Sequence, residues 1–163
     1  MVQRFESVAT GVVTAHGGRV VKTVGDEVFF ASRTAAPAAA IALDLIDALA
    51  EDSMLPAVRV GVSYGSVVSR LGDLFGTTVN RAARLTPMAH PGSVLVDDFL
   101  ADALRHHPGF TLTPMRRRRL RGPRRLGLTV PALVGPRQSA ASYRAASSRL
   151  TSSCSCCAAA PSA

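Results

Sequence analysis

The sequence predicts an α+β domain with an antiparallel or mixed sheet that carries its helices on one face. Two observations lead there. Apolar periodicities near 3.6 and 2 residues alternate along the chain in the order helix, hairpin, helix, hairpin, helix, strand. Hydrophobic residues make up 47% of the chain and charged residues 18%, which supports a packed core and excludes a chain disordered throughout. A length of 163 residues suits one domain with an extension.

Residues 2–16 set Val2, Phe5, Val8, Val12 and Val13 at helical spacing, and Gly17-Gly18 ends that helix. RVVKTV (19–24) and EVFFAS (27–32) are β-branched or aromatic runs around Gly25-Asp26, so they predict a hairpin. Residues 35–50 predict a helix. Ile41, Leu45 and Leu49 recur on one side, Asp44, Asp47 and Glu51 on the other, and Pro37 falls in the first turn, where proline is tolerated. AVRVGVSYG (57–65) alternates, with Val58, Val60 and Val62 on one face, and GSVVSRL (65–71) reads as its hairpin partner. GDLFG (72–76) reads as a loop. Residues 77–88 follow as a helix capped by Thr77 or Thr78. A strand (93–98), a helix (99–107), a strand (110–115) and a last strand (126–134) complete the series. The chain opens on an amphipathic helix with no strand before it. Beyond Pro136 it is rich in Ser, Ala and Arg, and disorder is expected there.

Charge is segregated. Residues 1–115 carry 9 Lys and Arg against 11 Asp and Glu, whereas residues 116–163 carry 10 Arg and no acid. The net charge of +8 therefore belongs to the C-terminal part. Seven of those arginines lie in RRRRLRGPRR (116–125), without interleaved aromatics, and read as a solvated basic loop rather than a specific nucleic-acid site. No apolar run reaches membrane-span length and no signal-peptide core is visible, so a soluble cytoplasmic protein is expected. The three cysteines, Cys154, Cys156 and Cys157, make neither a disulfide framework nor a good zinc site.

Three polar groups interrupt this apolar plan. Lys22 and Asp26 flank the first turn, Asp73 sits in a Gly-Asp loop, and Asn80 and Arg84 lie one helical turn apart. A carboxylate at a tight turn can meet a divalent cation, and an arginine on a helix can clamp a phosphoryl group. Each also has a plainer reading. Asp26 can be a turn former, Lys22 a snorkelling edge residue, Asp73 a loop cap, and Asn80 with Arg84 a solvated helix face.

Taken together, KTVGDEVFF and VRVGVSYGSVVSRLGDLFGTTVNRAARL resemble the catalytic domain of class III nucleotide cyclases. The resemblance includes Gly61, Gly65, the two Gly-Asp pairs, Phe75-Gly76 and VNRAARL. With LRG (120–122) near the end, it spans about residues 2–134. It implies a ferredoxin-like two-layer sandwich that works as a head-to-tail homodimer, or paired with another cyclase domain. Its reaction would be conversion of ATP to cyclic AMP and pyrophosphate with two divalent cations, Mg²⁺ or Mn²⁺. Asp26 would bind metal, Lys22 and Asp73 would read the purine as adenine, Asn80 would orient the ribose, and Arg84 would stabilise charge at the α-phosphate. Asp26 would serve one site of the dimer and the other four residues the second.

The family's second metal-binding aspartate lies on a strand before the first helix, and residues 1–19 hold only Glu6 as an acid. The expectation is thus an N-terminally truncated catalytic domain over 1–135, lacking its first strand and one aspartate ligand, impaired in activity, with a disordered tail over 136–163. The alternatives are a non-catalytic nucleotide-binding or regulatory partner and, more remotely, an Arg-rich nucleic-acid-binding protein.

Overall fold

The computed structural model describes residues 2–116, 118–119, 128–129, 132–136 and 155–160. Helix α1 (Val2–Ala15) buries Phe5, Ala9 and Val13, and the Gly18 N–H bonds to the Val13 carbonyl as the chain leaves it. Strands β1 (Arg19–Val24) and β2 (Glu27–Ala31) form the expected hairpin, with Gly25-Asp26 as its two-residue tip. Helix α2 (Ala35–Ala50) buries Ile41, Leu45 and Leu49 and turns Asp44 and Asp47 to solvent, as its periodicity predicts. His16 Nε2 lies 2.6 Å from Asp44 Oδ2 and links the end of α1 to α2.

Strand β3 (Arg59–Tyr64) departs from expectation. Its partner is not residues 65–71. Those residues supply β4 (Val68–Arg70), which pairs with β5 (Asp73–Phe75) in a separate ribbon. The centre of GDLFG, Asp73–Phe75, is therefore strand rather than loop. The reason is local: Leu71 and Gly72 have φ of 51° and 82°, and two positive φ values make the tight turn that closes such a ribbon. Leu71 is 97% exposed, so its positive φ is not a response to packing. Strand β3 itself has both edges engaged inside the main sheet, where Val60, Gly61, Val62 and Ser63 are buried.

Helix α3 (Thr77–Leu85) stops short of Met88, and residues Thr86–Met88 tighten into a 3₁₀ turn where Pro87 cannot continue an α-helix. Neither threonine caps it. Gly76 is the N-cap, and Thr78 Oγ1 instead donates to the Ser66 carbonyl at 2.9 Å. Strand β6 (Ser93–Val96) leads into α4 (Asp98–Leu104), whose N-cap Asp97 accepts from the Leu100 N–H at 2.9 Å. Strands β7 (Phe110–Pro114), β8 (Arg118–Arg119), β9 (Leu128–Thr129) and β10 (Ala132–Pro136) follow. The strand expected over 126–134 is thus realised as β9 and the first residues of β10. Most of the arginine run and the LRG segment lie outside the described residues.

Among the described residues the main sheet has seven strands, and the last of them in the chain is β11 (Ser155–Ala160), giving the order β1-β2-β11-β3-β6-β10-β7. This segment, within the tail expected to be disordered, is a strand that pairs in parallel with β2 on one side and β3 on the other. Residues 137–154 lie outside the described residues.

Helices α1, α2 and α4 cover one face over a core that includes Phe30, Val60, Val62, Val94, Val96 and Val134. The expectation that every helix lies on that face fails for α3. It covers the other face, through Leu85 with Ala89 and Leu95, and through Val79 beside Phe29 and Leu74. Gly61 makes this approach possible. A β-carbon there would fall 2.4 Å from the Thr86 nitrogen and 2.7 Å from the Ala82 carbonyl oxygen. Both are backbone atoms and cannot swing aside. Gly61→Ala is therefore expected to destabilise the domain by about 3 kcal/mol, read as a lowered urea midpoint. No helix among the described residues is long and apolar enough to cross a membrane.

Candidate functional site

The β1–β2 hairpin departs from simple alternation at one point. Register shifts between Val20 and Lys22, so Lys22 stands opposite Phe29. Strict alternation would send Lys22 to the face of Val20, beneath α1. The bulge instead puts Val21 and Lys22 on the face of Phe29, Leu74 and Val79. The Lys22 ammonium lies 5.8 Å from the Phe29 ring centroid and donates to Asp73 Oδ2 at 2.6 Å.

Asp73 reaches that position because the β4–β5 ribbon lies beside β1. Arg19 Nη1 donates to the Gly72 carbonyl at 3.2 Å, one residue from Asp73. The second carboxylate oxygen accepts from the Leu74 N–H at 2.8 Å. The Lys22 hydrogen bond, helped by the Leu74 N–H, holds the Asp73 carboxyl below the usual carboxylate range. The Lys22 and Asp73 side chains are 48% and 31% exposed. A pair that wet adds little stability, so both groups can turn to a ligand at small cost.

Next to this pair, Lys22, Val28, Phe29, Val79 and Ala83 line an open recess of about 220 Å³ between the hairpin and α3. Asn80 and Arg84 each follow a recess-lining residue by one position and are exposed. Asp26 occupies the exposed hairpin tip. The structure therefore brings Lys22 onto Asp73 and sets Asn80 and Arg84 on one helix beside the same recess, with Asp26 at the end of the hairpin that forms its wall.

The orientation of α3 rests on residues that periodicity did not single out. Arg81 Nη1 donates to Asp97 Oδ2 at 2.9 Å, and its guanidinium lies 4.5 Å from the Phe99 ring centroid. Asp97 is fully buried. It also accepts from Ser63 Oγ at 2.5 Å, from the Tyr64 N–H at 3.3 Å and from the Leu100 N–H. Burial pushes its carboxyl above the usual range, and the bonds from Ser63, Leu100 and Arg81 pull it back. One carboxylate thus ties α3 to the ends of β3 and β6 and to the start of α4. The legible trace was an arginine, Arg81, on the side of an otherwise packing helix, followed by an acidic pair directly after an apolar strand.

Among the described residues no three His, Cys, Asp or Glu side chains gather as a metal cage. Asp26, with Glu27 adjacent, offers an exposed carboxylate of the kind that suits a hard cation otherwise ligated by water and phosphate oxygens.

Residues 1–131 match the family model described as the adenylate and guanylate cyclase catalytic domain. An adenylate cyclase of Glutamicibacter nicotianae is 46% identical over 122 residues, covering 75% of this chain and 30% of that protein. An adenylate cyclase of Streptomyces coelicolor is 49% identical over 104 residues, covering 64% and 27%. The chain thus spans less than a third of the length of these curated relatives. In fold it is similar to the catalytic core of a rhodopsin-guanylyl cyclase with converted specificity, solved in complex with ATPalphaS. That match has a TM-score of 0.63 at 18% identity and covers 82% of this chain and 80% of the other. The adenylyl cyclase CyaB of P. aeruginosa gives a TM-score of 0.60 at 16% identity, covering 84% and 82%.

Proposed function

Since this chain belongs to the adenylate and guanylate cyclase catalytic domain family, we propose that it converts ATP to cyclic AMP and pyrophosphate, in sites shared by two head-to-tail protomers. The observation that carries the substrate choice is the Lys22–Asp73 pair, 2.6 Å apart beside an open recess. It offers one donor and one acceptor side by side. Adenine presents the complement, a ring nitrogen that accepts and an amino group that donates. In the same pose guanine would set its ring N–H against the Lys22 ammonium, two donors facing each other.

In this reading Asn80 hydrogen-bonds the ribose and Arg84 faces the α-phosphate. The ribose 3′-oxygen forms a bond to the α-phosphorus, the bond from that phosphorus to the bridging oxygen breaks, and pyrophosphate leaves. Charge builds on the α-phosphate oxygens, where a planar guanidinium on a fixed helix stabilises it best. Asp26, with phosphate oxygens, would hold Mg²⁺ or Mn²⁺, which would neutralise the phosphates and ease loss of the 3′-hydroxyl proton. A substrate pool of ATP points to the cytoplasm.

The purified chain should form cyclic AMP from ATP with Mn²⁺ and form cyclic GMP from GTP about 10²-fold more slowly, followed by mass spectrometry. Asp73→Ala should narrow that ratio, since it removes the acceptor for the amino group. Preference for GTP would overturn the purine assignment. ATP binding without either product would favour the non-catalytic partner.

A further inference from the structure

A second recess, of about 410 Å³, opens at the end of the first hairpin away from Asp26, where Arg19 stands opposite Ala31. Ala31 and Leu74, packed in the same cluster as Phe29, form part of its floor, and the β4–β5 ribbon that carries Asp73 supplies one wall. Its polar lining is Arg19, Ser32, Arg33 and Ser69, and no acidic residue lines it among the described residues.

The charges there are uncompensated. Among the described residues the arginines paired with carboxylates are Arg4, Arg81 and Arg105. Arg19 donates instead to the neutral Gly72 carbonyl. Ser32 is the sharper sign. It is only 6% exposed, yet its hydroxyl makes no hydrogen bond among the described residues. Buried hydroxyls are nearly always paired, so one that lines a recess unpaired points to a ligand with an acceptor. Ser32 and Arg33 also lead into Thr34, the N-cap of the 16-residue helix α2. The Thr34 side chain makes no capping bond, and the first turn holds no acid. The positive end of that helix therefore lies beside the recess and favours an anion.

Guanidinium forks and a hydroxyl donor match the oxygens of a phosphate. A bare phosphate would leave much of the recess empty, and Ala31, Val67 and Leu74 make the remainder apolar. We propose that this recess binds a small organic phosphate, with its phosphate on Arg19, Ser32 and Arg33 and its apolar body against Ala31, Val67 and Leu74. The site stands on its own lining and does not depend on the cyclase reading.

Phenyl phosphate is the probe, titrated into the full chain at low salt and followed by isothermal titration calorimetry. Binding should be saturable, with Kd below about 1 mM. Arg33→Ala changes an exposed side chain and should keep the wild-type unfolding midpoint while weakening binding about tenfold. Ser32→Ala should weaken it several-fold. Arg84→Ala, on the other recess, should leave it unchanged. Inorganic phosphate should bind about tenfold more weakly than phenyl phosphate, since it lacks a body for the apolar floor. Absence of saturable binding would refute the site. Affinity that falls with Arg84→Ala and not with Arg33→Ala would move the phosphate to the recess beside α3. Equal affinity for the two probes would count against an organic ligand.

Discussion

Asp97→Ala is expected to lower the stability of the domain by about 3–5 kcal/mol, the cost of removing one partner from a buried ion pair. The substitution strips the N-cap from α4, leaves Ser63 Oγ and the Tyr64 N–H without their acceptor, and strands the Arg81 guanidinium, whose buried Nε already has no hydrogen bond among the described residues. Denaturant unfolding measures the loss directly. Asp97→Asn keeps a capping oxygen and should cost less. The sign of the pH dependence follows from burial, which raises the Asp97 carboxyl above 3.8. Between that value and the folded one, the native state holds the proton more tightly than the unfolded state does. Stability due to Asp97 is then full below the ordinary carboxylate range and declines as pH rises through the folded value. The advantage of wild type over Asp97→Asn should shrink in the same direction.

Arg84→Ala should act oppositely, sparing the fold and removing turnover. Arg84 is exposed on α3, so its loss leaves the unfolding midpoint within about 0.5 kcal/mol of wild type. If it stabilises charge on the α-phosphate, kcat for cyclic AMP should fall about 10²–10³-fold with little change in KM. Arg81→Ala, one residue after Asn80 and three before Arg84 but turned to the buried Asp97, should instead lose stability first. A steady-state comparison of the two variants separates a group that acts on substrate from one that positions α3.

Helix α2 and the first hairpin could be read from sequence because short-range periodicity alone determined them. Ile41, Leu45 and Leu49 mark one stripe, and a two-residue Gly-Asp tip leaves little choice of register. The pairing of Lys22 with Asp73 was legible only through resemblance, since a bulge at Val21 must first turn Lys22 to the correct face. The β4–β5 ribbon was hidden because leucine rarely adopts a positive φ, so Leu71-Gly72 did not read as a turn. The Arg81–Asp97 pair and the place of β11 depend on residues far apart in sequence, and composition alone makes SCCAAA a tail.

The most direct measurement is subunit complementation. Asp26 and Arg84 are assigned to opposite protomers' shares of each site, so Asp26→Ala and Arg84→Ala should each be inactive alone. Mixed in equal amounts and allowed to exchange, half of the dimers would be mixed and each would carry one intact site. Cyclic AMP formation should then return to about a quarter of the wild-type rate. A mixture no more active than its components would contradict a catalytic site shared between two copies of this chain.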